Sequence, residues 1–87
     1  MERLRRKDEE AGVVDVPLTD VQKAAIAEAR SLCEARTAER RILLQSALAS
    51  AFDPGARESL EAECRRDIAR LTDDRDRKIE RVRRGES

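Results

Sequence analysis

The sequence predicts an all-α protein: an antiparallel two-helix hairpin, coiled-coil-like, that dimerises into a four-helix bundle. Three observations predict it. No Gly or Pro interrupts the chain from Asp20 to Phe52 or from Ala56 to Arg84. The only break between those stretches is "DPG", residues 53 to 55. Along both stretches apolar residues recur three and four apart, the spacing of one helix face.

Residues 1–17 are expected to form a flexible N-terminal tail. They hold a basic cluster (Arg3, Arg5, Arg6, Lys7), an acidic cluster (Asp8, Glu9, Glu10), Gly12 and a short "VVDVP". Such termini are commonly loose. The sharper alternative is that Val13, Val14 and Val16 dock against a helix or a partner. The opening "MERLRRKDEE" has no apolar core, so it does not read as a secretory signal.

The hairpin is expected over 18–87, with a helix at 19–52, a turn at 52–54 and a second helix at 54–84. Thr19 is a good N-cap, and Gln22 three residues later completes a capping box. Asp20 places negative charge in the first turn, where the helix dipole favours it. At the apex Asp53 is an N-cap type, and Pro54 suits the first helical position because its missing N–H has no partner there anyway. Pro54 also disfavours helical backbone at Asp53, which closes the first helix. Gly55 completes the predicted turn. Gly85 offers the second helix a C-terminal stop, behind Arg81, Arg83 and Arg84. A link this short makes the helices antiparallel.

Helix two carries one stripe: Leu60, Cys64, Ile68, Leu71, Arg75, Ile79 and Val82. Its repeat of eleven residues is close to the pitch of a straight helix. The remaining faces are charged apart from Ala62 and Ala69. Helix one carries two stripes. Val21, Ala25, Ala29, Leu32, Arg36, Arg40, Leu43, Ala47 and Ala51 are expected to meet helix two, their small side chains allowing close approach. Arg36 and Arg40 interrupt that stripe, level with Asp67 and Glu63 of the returning helix, as expected ion-pair partners. The second stripe, Ile26, Cys33, Leu44, Leu48 and then Phe52, with Ile42 widening it, is expected to face outward as an interaction surface. A homodimer with helix one of each copy toward the centre would cover it. An unidentified protein partner laid along the same face is the competing occupant.

Composition narrows the function classes. Of the 34 hydrophobic residues among 87, 13 are Ala, with one Phe and no Trp or Tyr. A core that thin calls for help from a partner. Lys+Arg and Asp+Glu both number 19. Zero net charge speaks against a general nucleic-acid binder, and no apolar run approaches the roughly 20 residues of a membrane span. A cytoplasmic protein is expected. Without histidine, imidazole chemistry and the commonest metal sites are excluded. The two cysteines, Cys33 and Cys64, form no CxxC pair and fall about 15 Å apart along the hairpin, too far for a bridge within one chain. They read as small buried hydrophobes, with an interchain bridge at Cys33 as the alternative. The acidic "DDRD", Asp73, Asp74 and Asp76, lies on a straight helix among arginines and reads as surface ion pairing rather than a metal site. Glu61–Arg65, Asp73–Arg77 and Glu80–Arg84 are spaced for such pairs. No cofactor, metal or enzyme activity is expected.

"FDPGARESLEAECRRDIARLTDDRDRKIERV" resembles the coiled-coil hairpin of the DksA/TraR-type RNA polymerase factors. The shared features are an Asp-Pro at the apex, Asp53-Pro54, and an Arg-rich returning helix. The resemblance implies a regulator that reaches into the polymerase with an acidic tip. The sequence departs from that pattern at Ala56, where the family has a second aspartate, and it holds no cysteine-rich zinc module. The first expectation for function is therefore a non-catalytic protein–protein interaction module, an adaptor, assembly factor or regulator. The second is a regulator of the transcription machinery or of nucleic acid, acting through the apex or the basic C-terminal end.

Overall fold

A computed structural model describes residues 17–85. It contains two helices, α1 (Asp20–Ala49) and α2 (Pro54–Arg83), of 30 residues each. The tail expected over 1–17 lies outside the described residues apart from Pro17. The helices lie side by side and antiparallel in a rod of 61 × 24 × 19 Å.

Local chemistry sets the ends of both helices. Thr19 Oγ1 accepts from the Gln22 amide at 3.1 Å, and the Thr19 amide donates to Gln22 Oε1 at 2.8 Å. Two otherwise unpaired donors of the first turn are thereby satisfied. At the apex Asp53 Oδ2 accepts from the Ala56 amide at 2.9 Å, with Pro54 as the first residue of α2. Gly55 lies within the first turn of α2 rather than in the connection. Its neighbour is the capping carboxylate, 3.1 Å from where a Cβ would stand. At the far end Gly85 takes a φ of 85°, and its amide donates to the Val82 carbonyl at 3.0 Å. That left-handed backbone is one that glycine adopts without strain.

Helix α1 stops at Ala49, three residues before the expected end at 52. Neither Gly nor Pro stands there. The guanidinium of Arg57, one turn into α2, donates to the carbonyls of Leu48 and Ala51, each at 2.9 Å. It takes up carbonyls that a longer helix would have bonded internally.

The face of helix α1 that meets α2 is turned from the expected one, sharing Ala29, Arg40 and Ala51 with it while Ala25 and Ala47 remain half-buried at its edge. Ile26 and Cys33 are buried inside the hairpin, at 5% and 8% exposure, and Leu44 and Leu48 are half-buried there. Val21, Leu32 and Leu43, assigned to the inner stripe from the sequence, are exposed. The inner face therefore runs Gln22, Ile26, Ala29, Cys33, Thr37, Arg40, Leu44, Leu48 and Ala51. It has the predicted eleven-residue repeat, displaced by one position over most of its length. One residue is about 100° of helix rotation. The larger side chains took the inner position because burying an Ile or Leu is worth about 1.5–3 kcal/mol, several times an Ala. On α2 the expected stripe is the inner one: Cys64, Ile79 and Val82 are buried, and Leu60, Ile68, Leu71 and Arg75 half-buried.

Polar contacts set the register. Gln22 Nε2 donates to the Val82 carbonyl at 2.9 Å. The Cys33 thiol donates to the Leu71 carbonyl at 3.6 Å. Arg40 Nε donates to Asp67 Oδ2 at 2.7 Å. Ile26, Ile79 and Val82 form the densest apolar cluster, with Leu18, Ala25 and Ala29 against it, at the end away from the apex. Both cysteines are free thiols and buried, so Cys33 does not lie on an outer face where a bridge to a second copy would form.

Candidate functional site

The rotation of α1 decides what the molecule shows to its surroundings. Among the described residues the exposed large apolar side chains are Val21, Leu32, Ile42, Leu43 and Phe52, from 51% exposure at Leu32 to 88% at Phe52. All but Phe52 stand on α1. Val21, Leu32 and Leu43 recur every eleven residues and so fall on one line along the helix, about a quarter turn from the inner face. Exposed Ala24 and Ala35 extend the apolar surface beside them. The outer surface of α2 carries no large apolar residue; Ala69 is its one exposed alanine after Ala56, among Arg, Asp and Glu side chains. The outer face of α1 thus shows large apolar side chains among Glu28, Arg36 and Glu39, while that of α2 is almost entirely charged.

Of the residues expected to form an interaction surface, Ile42 and Phe52 are in water. Leu44 and Leu48 are shared with the hairpin, and Ile26 and Cys33 belong to its interior. Sequence reading passed over Val21, Leu32 and Leu43 as contact residues because they belong to a stripe of the same period. Only the burial of the stripe one position away identifies them as free.

Electrostatics shape the groove beside this line. It is lined by Arg36, Glu39, Arg40 and Leu43 on α1 and by Asp67, Arg70 and Leu71 on α2. The Arg40 hydrogen bond holds the Asp67 carboxyl below the ordinary aspartate range; partial burial opposes the shift, and Arg40, Arg70 and Arg66 add to it by charge. The same bond raises Arg40 further. The pair is the expected inter-helix bridge. Arg36 and Glu63, the other members of that expectation, form no ion pair among the described residues. Glu80–Arg84 forms at 3.5 Å as the spacing anticipated, whereas Arg77 turns to Asp74 at 3.7 Å and not to Asp73.

The apex is chemically quiet. The Asp53 carboxylate is engaged as the α2 cap, Arg57 is engaged with α1 carbonyls, and Phe52 stands out alone between them. Among the described residues no group of cysteines and carboxylates is arranged to hold a metal ion, and no helix is long and apolar enough to cross a membrane. Comparisons of the chain with protein-family models, curated proteins and solved structures find no match.

Proposed function

We propose that the chain is a non-catalytic interaction module that works through the outer face of α1, and that its first partner is a second copy of itself in a four-helix bundle. The observation that carries this is the asymmetry between the helices. Val21, Leu32 and Leu43 form an exposed apolar line on α1, with Ile42 farther round the same outer face, while the outer side of α2 carries no large apolar residue. Covering that side would supply the apolar burial that so slight a hairpin core lacks.

Sedimentation equilibrium at micromolar concentration tests it. The full chain is expected at about twice its 9.9 kDa mass. Leu32→Glu with Leu43→Glu is expected to return it to the monomer with helical content retained, since neither side chain packs inside the hairpin. A wild-type chain that sediments as a monomer would sink the reading. A regulator that reaches a partner with an acidic apex is the weaker reading, because the one carboxylate at the tip already caps α2.

A further inference from the structure

We propose that the second copy lies antiparallel, α1 against α1, with the two-fold axis passing at Leu32. This rests on the self-association reading above and adds its orientation and register. The exposed line on α1 is symmetric about its centre. Val21 lies eleven residues before Leu32 and Leu43 eleven after, about 16.5 Å on each side. Glu28 lies four before Leu32 and Arg36 four after, both exposed and close to the same line. Neither has an ion-pair partner within the hairpin among the described residues.

A two-fold rotation at Leu32 brings each residue opposite the one as far beyond the centre as it lies before it. Val21 meets the partner's Leu43, Leu32 meets its own copy, and Glu28 meets the partner's Arg36. Apolar residues thus close on apolar residues three times along the contact, and two opposite-charge pairs form, one on each side of the axis. Glu39 falls opposite the partner's Ala25, whose small side chain lets the carboxylate reach past it to water. A parallel, in-register pair would keep the apolar matches but set Glu28 against Glu28 and Arg36 against Arg36. Charge complementarity therefore selects the antiparallel arrangement. It is also an isologous contact, which closes at two copies and leaves no repeating surface for further growth.

Charge reversal and thiol cross-linking test this on the full chain. Glu28→Arg alone, or Arg36→Glu alone, turns two attractive pairs into two repulsive ones. Each is expected to raise the dimer dissociation constant about tenfold. The double variant E28R/R36E is expected to restore it to within about threefold of wild type. In the second arm, Val21→Cys chains are mixed with Leu43→Cys chains and oxidised, and the cross-linked peptides are mapped by mass spectrometry. A 21-to-43 bridge is expected, with no 21-to-21 or 43-to-43 bridge. A wild-type monomer would overturn both the self-association reading and this one. A stable dimer in which the double variant is no tighter than the singles, or which cross-links 21 to 21 or not at all, would overturn the antiparallel register and leave self-association standing.

Discussion

Arg40 and Asp67 are the residues whose pairing joins the two helices most directly. At 2.7 Å the guanidinium and carboxylate meet with a charge-assisted hydrogen bond, and the Asp67 side chain remains 46% exposed. The direction of its pH dependence follows from the lowered carboxyl. The folded chain binds the Asp67 proton less tightly than the unfolded chain, whose aspartates titrate near about 3.9. The pair therefore contributes stability above that value and loses it as pH falls through the lower folded-state value. Asp67→Asn is expected to lower the thermal midpoint at neutral pH and to flatten its decline in acid. Melting curves between about pH 3 and 7 check both. That this bridge would form was legible from the sequence, because counting from the turn set Arg40 near Asp67. Which of the neighbouring charges would stay unpaired was not, since Arg36 and Glu63 each lie one turn from that pair, on opposite sides of it along the rod, and whether they pair depends on the final register.

At the scale of the helix, ends were easier to read than faces. Thr19, Gln22, Asp53 and Pro54 cap within three or four residues of themselves, so their chemistry is written in the local sequence. The end of α1 at Ala49 was not, because Arg57, across the turn, adds a bond to the Leu48 carbonyl, which the Ala51 amide also reaches, and takes the Ala51 carbonyl beyond the helix. Arg57→Ala is expected to speed amide exchange around Ser50 and Ala51 and to lower the melting midpoint by several degrees, about 1 kcal/mol of lost hydrogen bonding being worth roughly 4–8 °C in a domain of this size. Asp53→Ala should cost about the same through the lost N-cap of α2. If Arg57→Ala leaves exchange in the turn unchanged, the guanidinium is not what ends α1.

For the molecule as a whole, length without breadth is the governing fact. A radius of gyration of 19.0 Å far exceeds the roughly 12 Å of a compact chain of this size. Among the described residues the buried apolar side chains are Ile26, Cys33, Cys64, Ile79 and Val82; three of them, Ile26, Ile79 and Val82, cluster at the end away from the apex, and Cys33 and Cys64 lie farther along the rod. Each therefore weighs heavily. Ile26→Ala is expected to destabilise the hairpin itself by about 2–5 kcal/mol, read by urea unfolding at fixed protein concentration. Leu32→Ala removes a similar side chain from the outer face. It is expected to leave the hairpin folded while abolishing the dependence of the melting midpoint on protein concentration that self-association confers. Equal effects of the two substitutions would mean that the inner and outer faces of α1 are not distinct.

By itself the sequence determined that the described residues form two helices joined by one turn, where α2 begins and ends, and which face of α2 is inward. Each follows from chemistry that acts within a few residues, or from a stripe with a single solution: α2 is charged everywhere else. Only the tertiary structure decided which face of α1 is inward. Two stripes of identical period, one residue apart, compete on that helix, and periodicity has no term for side-chain size across an interface. Ile26, Cys33, Leu44 and Leu48 fill the space along α2 better than the alanine-rich stripe beside them. Gln22, Cys33 and Arg40 then find partners on Val82, Leu71 and Asp67 that no local rule connects to them. The rotation that results, less than one residue step of about 100°, leaves Val21, Leu32 and Leu43 in water.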